Sequence, residues 1–354
     1  MISQKSISKE WIEKVAKSQR ADKNLVEKVI RALLLLEGLS ESGLDYTFKG
    51  GTALLLLFNS DKRLSIDIDI IVPDKDKDLS EIVETICQKK GFISFEKKIR
   101  NAGTKIDKEH YKLMFISALN GQESSILLDV LKESIHYSHT IELPIASSFI
   151  HQEDEPIKVR VPDFNNILGD KLTAFAPNTT GVPYQKGTKE MGMEIIKQMY
   201  DIGCLCDRAD NPELISTVFS SFAETELAYR ENKCSIDDVL NDSIETALSV
   251  CLRQSQGNAN FDILSKGIIQ IKPFIFSEVF HLEKAITYAA KAAYIATMIK
   301  YGVKQINRFD PKIDMKDWII VAPLNTKLNK IKKSDPEAFF YLYQVSVMEH
   351  SVTP

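Results

Sequence analysis

The sequence predicts an α+β protein: a mixed β-sheet domain with flanking helices, followed by an all-helical C-terminal domain. Three observations predict it. Residues 65–72, Ser-Ile-Asp-Ile-Asp-Ile-Ile-Val, alternate polar and apolar and then turn fully apolar, the pattern of a strand with one polar and one buried face. Runs at 92–99, 111–119 and 124–131 repeat the strand signature. After Asp163 the periodicity is helical.

The elements follow in order. Trp11, Ile12, Val15 and Ala16 recur at helical spacing, as do Leu25, Val26, Val29, Ile30, Leu34 and Leu35, so residues 8–42 read as two helices that end near Gly43. Residues 46–49 form a short strand, and Gly50-Gly51 forms a turn. Thr52 is placed to cap a short helix over 53–58. A helix over 79–90 precedes the three strands, and a further strand lies at 157–161. Asp163 or Asn165 caps a helix over 167–175. A loop with Pro177, Gly181, Pro183 and Gly187 leads to helices at 188–207, 212–230, 235–253, 276–301 and 335–348. The expected division is 1–162 and 163–354, which suits a 354-residue chain at roughly 100–200 residues per domain.

Composition narrows the class. Apolar residues make up 44% and charged residues 27%, ordinary for a soluble globular chain, so disorder is not expected. The net charge of −4 gives no global basic field for nucleic acid. Lys and Arg do gather locally, at 1–35 and at 300–333; such runs are solvated faces or basic patches for RNA or an acidic partner. The five cysteines form no CxxC pair, the N-terminus has no apolar leader, and the apolar runs fall short of a membrane span. The expectation is a cytoplasmic protein with free thiols and no membrane contact.

The chemistry concentrates in Lys49-Gly50-Gly51-Thr52-Ala53-Leu54 and Arg63-Leu64-Ser65-Ile66-Asp67-Ile68-Asp69. Asp67 and Asp69 are two apart on a strand, so both carboxylates share a face. They repel each other unless a cation lies between them, and an oxygen-rich site of this kind suits Mg²⁺ or Mn²⁺. Asp129, a lone acid in the apolar strand Leu127–Leu131, is the candidate third metal ligand, because an unpartnered carboxylate there is costly. The glycine pair lets backbone approach a phosphate, and the following helix offers free N–H groups. Ser65 shares the face of Asp67; its hydroxyl has two readings, a phosphate ligand or a modification site. Arg63 either clamps a triphosphate or anchors the loop. The six histidines show no metal-binding spacing. The order strand, Gly-Gly, helix, strand, Asp-x-Asp describes metal-assisted phosphoryl or nucleotidyl transfer.

These residues resemble motif I of the AbiEii/AbiGii (MenT-like) nucleotidyltransferase toxins, in the DNA polymerase β-like nucleotidyltransferase superfamily. The family pattern Lys/Arg-Gly-Gly-Thr-Ala-Leu, a short helix, then Arg-x-Ser-x-Asp-Ile-Asp runs here from Lys49 to Asp69. Asp170-Lys171-Leu172-Thr173-Ala174 is similar to a second motif whose lysine is implied to contact nucleotide phosphates. Lys197-Gln198-Met199-Tyr200-Asp201-Ile202 resembles a third, with Gln198 where the family has an acid and Asp201 as the remaining catalytic or positioning carboxylate.

The resemblance implies a nucleotidyltransferase fold and an Mg²⁺-dependent enzyme that takes an NTP. It implies nucleotide contacts from Gly50, Gly51, Thr52, Arg63, Ser65 and Lys171, and a metal held by Asp67, Asp69 and Asp129. It implies an acceptor at a tRNA 3′ end or a protein hydroxyl, a cognate antitoxin, and a role in growth arrest or phage defence. Two other classes stay open: a small-molecule nucleotidyltransferase of the antibiotic-modifying kind, and a non-catalytic nucleotide- or RNA-binding module.

Overall fold

The computed structural model describes residues 1–59, 62–99, 108–230, 233–253 and 259–350. The chain forms two compact units, Met1–Asp163 with Pro273–Val279, and Phe164–Lys272 with Phe280–Pro354. Together they make an α+β protein.

The first unit opens with α1 (Lys9–Gln19), capped by the Ser8 side chain, and α2 (Lys23–Glu41), capped by Asp22. The chain leaves α2 through Ser42 and then Gly43 at φ +72°, a left-handed exit that suits glycine. Next come β1 (Thr47–Lys49), α3 (Gly50–Leu57), β2 (Ile68–Ile71), α4 (Ser80–Lys90), β3 (Ser94–Ile99), β4 (Lys108–Ile116), β5 (Glu123–Leu131), β6 (Thr140–Pro144) and β7 (Lys158–Pro162). The five-stranded sheet has the order β1-β2-β5-β4-β3; β2 and β5 are parallel and the other pairs antiparallel. β6 and β7 form a separate antiparallel pair.

The sheet has two unlike faces. Ile68, Ile70, Tyr111, Leu113, Phe115, Ile126, Leu128 and Val130 are buried on one face. That face meets α2, where the Arg31 guanidinium lies 4.8 Å from the Phe115 ring, and α4 packs on α2. Each such aliphatic side chain contributes roughly 1.5–3 kcal/mol when withdrawn from water. Glu27 of α2 ties the β4–β5 turn by accepting from Ser117 Oγ at 2.6 Å and Ala118 N at 2.7 Å. The alternating residues His110, Lys112, Leu127 and Asp129 lie on the other, more open face.

Two strands differ from the sequence expectation. The strand expected over 65–72 is confined to β2, so Asp67 precedes it. Residues 63–64 pair elsewhere: Leu64 N donates to Phe274 O at 2.8 Å, and Arg63 bridges Ile275. β4 ends at Ile116, not 119, because residues 117–122 close a turn with Gly121 at φ +72°.

The second unit holds α5 (Phe164–Ala174), a small hairpin of β8 (Gln185–Lys186) and β9 (Lys189–Glu190), then α6 (Gly192–Cys206), α7 (Pro212–Tyr229), α8 (Ile236–Leu252), α9 (Ala259–Gln270), α10 (Leu282–Lys300), α11 (Ile331–Ser334) and α12 (Pro336–His350). α10 lies against α6, α8 and α12. Its buried Ala285, Ala289, Ala292, Ala293 and Ala296 leave room for that close packing. Lys291 of α10, buried, bonds Asp207 at 2.8 Å and Glu337 at 2.7 Å. Among the described residues the unit is helical apart from the hairpin and the segments that connect the helices. No helix among the described residues is long and apolar enough to cross a membrane.

Candidate active site

The junction of β1 and α3 gathers the motif. Gly50 starts α3 at φ +80°, a conformation that a residue with a Cβ adopts only under strain. A Cβ built on Gly50 would lie 2.0 Å from Asp69 Oδ2. A Cβ on Gly51 would lie 2.7 Å from both Arg63 Nη2 and Ser65 Oγ. The missing side chains are therefore what let Arg63, Ser65 and Asp69 reach the first turn of the helix.

No side chain caps α3. Its Ncap residue is Lys49, and Thr52 sits inside the first turn, fully buried. The expected cap at Thr52 is thus corrected: its Oγ1 donates to the backbone oxygen of Asp67 at 2.6 Å. Thr52 fixes the chain that carries Asp67 at the first turn of α3. Arg63 is buried and donates from Nη1 to Leu64 O at 3.0 Å, which anchors the loop.

The sheet register sets a row of charge. Lys49 is opposite Asp69, Asp69 beside Asp129, Asp129 beside His110, and His110 opposite Lys98. Residues directly across a ladder point to the same face, so one row crosses all five strands. Asp69 leans toward Gly50 on the β1 side, whereas Asp129 turns to the β4 side, where its Oδ1 lies 2.6 Å from His110 Nδ1.

Among the described residues no three His, Cys, Asp or Glu side chains close around one point. Mg²⁺ does not require that: it binds through one or two carboxylates and completes its octahedron with water and phosphate oxygens. Asp69, against Gly50 at the start of α3, and Asp67, whose backbone Thr52 holds, are a carboxylate pair that fits that habit.

The second unit holds the other motif residues. Lys171 of α5 and Asp201 of α6 are buried and form an ion pair at 3.1 Å. Lys171 also donates to Gln198 Oε1 at 2.9 Å, so the amide keeps an acceptor where the resembled motif has an acid. Two cavities of about 560 and 600 Å³ in this unit are lined by none of these residues.

Sequence reasoning missed His110 and the 273–279 return. His110 alternates with buried Tyr111 on β4, which places it on the open face, but only the register puts it against Asp129.

Comparison with known proteins adds the family. The family model described as nucleotidyl transferase AbiEii toxin, type IV TA system, matches residues 34–267. Among solved structures, the chain is similar to MenT4, a nucleotidyltransferase toxin from Mycobacterium tuberculosis H37Rv, with TM-score 0.51 and 11% identity over 95% of this chain and 98% of that one. It also matches JHP933 from Helicobacter pylori with TM-score 0.45 and 13% identity over 80% of this chain and 94% of that one. No curated protein matches it in sequence.

Proposed function

We propose that this chain, which belongs to the AbiEii nucleotidyltransferase toxin family, transfers an NMP from an NTP to a hydroxyl of an RNA 3′ end or of a protein, with a divalent cation held by Asp67 and Asp69. The observation that carries the reading is the approach of Gly50 to Asp69, which sets a carboxylate against the first turn of α3, a helix with no side-chain cap bond.

The chain's own residues divide the work. Backbone N–H groups at Gly50 and Gly51, with the Ser65 hydroxyl, bind triphosphate oxygens and orient the α-phosphorus. Thr52 holds the Asp67 backbone, and buried Arg63 holds the loop that presents Ser65. Asp67 and Asp69 would hold Mg²⁺ or Mn²⁺, which when bound neutralises phosphate charge and activates the attacking oxygen; Asp129, the expected third ligand, would join them on turning from His110. The acceptor oxygen forms its bond to the α-phosphorus, the α–β bond breaks, and pyrophosphate leaves with the electron pair. Lys171, held by Asp201 and Gln198, is assigned to nucleotide phosphates by the family resemblance.

An RNA acceptor is favoured by the exposed Lys316, Lys327, Lys330 and Lys333 in the second unit. A cognate antitoxin follows from the type IV description of the family. A cytoplasmic setting agrees with the free cysteines among the described residues.

The test separates nucleotidyl from phosphoryl transfer. Purified protein is incubated with each NTP carrying label on the α- or the γ-phosphate, with Mg²⁺ and total tRNA or cell protein. The reading expects α-label on a macromolecule and γ-label only in pyrophosphate. Transfer of γ-label, or no transfer with any NTP, would contradict it.

A further inference from the structure

We propose that the open face of β3 and β4 seats the phosphates of a single-stranded RNA acceptor through Lys98, Lys108 and Lys112, an inference that rests on the seating of the triphosphate at Gly50 and Gly51. The sheet register brings the three lysines together. Lys108, His110 and Lys112 alternate with buried residues along β4, so they form one column on the open face. Lys98 of β3 is directly opposite His110, the middle of that column. His110 itself is occupied by Asp129. Lys98, Lys108 and Lys112 form no ion pair among the described residues, not even Lys112 with Glu96 across from it on β3. Lys97 and Lys132 beside the same strands differ: both pair with the buried Glu109.

Two observations point these lysines at an acceptor. The first is direction. In-line transfer puts the attacking and leaving oxygens on opposite sides of the α-phosphorus. Pyrophosphate at Gly50 and Gly51 lies on the β1 side of Asp69, because Gly50 stands against Asp69 Oδ2. The acceptor then comes from the other side, over β5 and β4. Lys108 and Lys112 are each two strands and two residues away from Asp69, about 12 Å between Cα atoms. That is the reach of a few nucleotides behind a terminal hydroxyl, at roughly 3.4 Å each when stacked. The second observation is the neighbour of Lys112. Leu127, directly across on β5, is 42% exposed on this same face. A lysine beside an open apolar side chain suits a nucleotide, which offers phosphate to one and the face of a base to the other. A protein hydroxyl brings no such repeat of charge, so the face favours RNA over protein as the acceptor.

The test reads RNA binding directly and then asks whether it serves transfer. Binding of fluorescein-labelled total tRNA is followed by anisotropy over a salt titration for the wild type, the triple variant K98Q/K108Q/K112Q, and K75Q/K77Q/K89Q, which removes the same charge from exposed lysines elsewhere in the first unit. Thermal melting confirms that each variant is folded. The first triple variant is expected to bind RNA about tenfold or more weakly, and its slope of log K against log salt becomes shallower by about 2, at about 0.7 for each lost contact to a single strand. The second keeps the wild-type slope. In α-label transfer, K98Q/K108Q/K112Q raises the KM for RNA and leaves the KM for NTP unchanged. Equal loss in the two triple variants would mean that only net charge matters, and wild-type binding and slope in K98Q/K108Q/K112Q would show that the face is idle; either overturns the proposal. A polyglutamate peptide that competes as well as unlabelled tRNA would assign the face to an acidic protein and also overturn it. Absence of α-label transfer by the wild type to any acceptor overturns the nucleotidyltransferase reading and this inference with it; transfer to RNA with undiminished RNA binding in K98Q/K108Q/K112Q removes the role of the lysines alone.

Discussion

Gly50 stands so close to Asp69 that a single added methyl group would sit 2.0 Å from the carboxylate oxygen Oδ2. That contact ties the start of α3 to strand β2 and leaves no tolerance for a side chain. Gly50→Ala must therefore move Asp69 and also holds a Cβ at φ +80°. A misplacement of this kind costs about 100-fold in rate, and the strain costs about 1–3 kcal/mol. Label-transfer kinetics and urea unfolding of G50A check both numbers. Unchanged transfer would mean that Asp69 does not need its present position.

Thr52 serves Asp67 through a buried hydroxyl. Thr52→Val leaves the Asp67 carbonyl without this donor and is expected to destabilise the protein by about 1–3 kcal/mol while lowering transfer. Thr52→Ser keeps the donor and retains most of both. Equal behaviour of the two variants would show that the hydrogen bond is idle.

Much of this was legible in the sequence, for a local reason. Alternation over 65–72 and the Gly-Gly pair report on backbone conformation, which neighbouring residues dictate. What escaped depends on contacts between distant residues. Leu64 pairs with Phe274, more than two hundred positions on, and β2 starts only at Ile68. β6 hides because its residues are half-exposed or exposed and carry no clear alternation of burial. α9 hides behind Gly267, a poor helix residue, whose place is set by packing: a Cβ there would meet the Gly192 backbone at 2.4 Å. His110 stands at no metal-ligand spacing along the chain; its partner, Asp129, lies across the sheet.

Gln198 illustrates a departure from the resembled motif that the structure explains. Its Oε1 accepts from Lys171 Nζ at 2.9 Å, beside the Lys171–Asp201 ion pair. Gln198→Leu removes an acceptor from a buried cation and is expected to cost about 1–3 kcal/mol. Gln198→Glu keeps the acceptor and is expected to retain the fold and transfer activity. Thermal melts and label transfer distinguish the two; a stable, active Q198L would deny the amide any role.

Glu109 gives the first unit a pH-dependent component. Burial alone pushes its carboxyl up, but hydrogen bonds from Tyr111, Lys132 and Lys97 outweigh burial and hold it below the ordinary value of 4.5. A depressed carboxyl binds fewer protons folded than unfolded, so its stabilisation is complete above pH 4.5 and fades as pH falls through the folded value. Glu109→Gln should therefore lower the urea midpoint at neutral pH, and the gap to wild type should narrow in acid. A gap that is constant with pH would refute the linkage.

The most direct measurement concerns Asp67 and Asp69. Transfer of α-label from each NTP to total tRNA or cell protein is followed for the wild type, D67N and D69N, with Mg²⁺ titrated from zero. The expected result is label transfer by the wild type that requires Mg²⁺, and a loss of about 100-fold or more in both variants with the fold intact. Metal-independent transfer, or wild-type rates in folded D67N and D69N, would contradict the account.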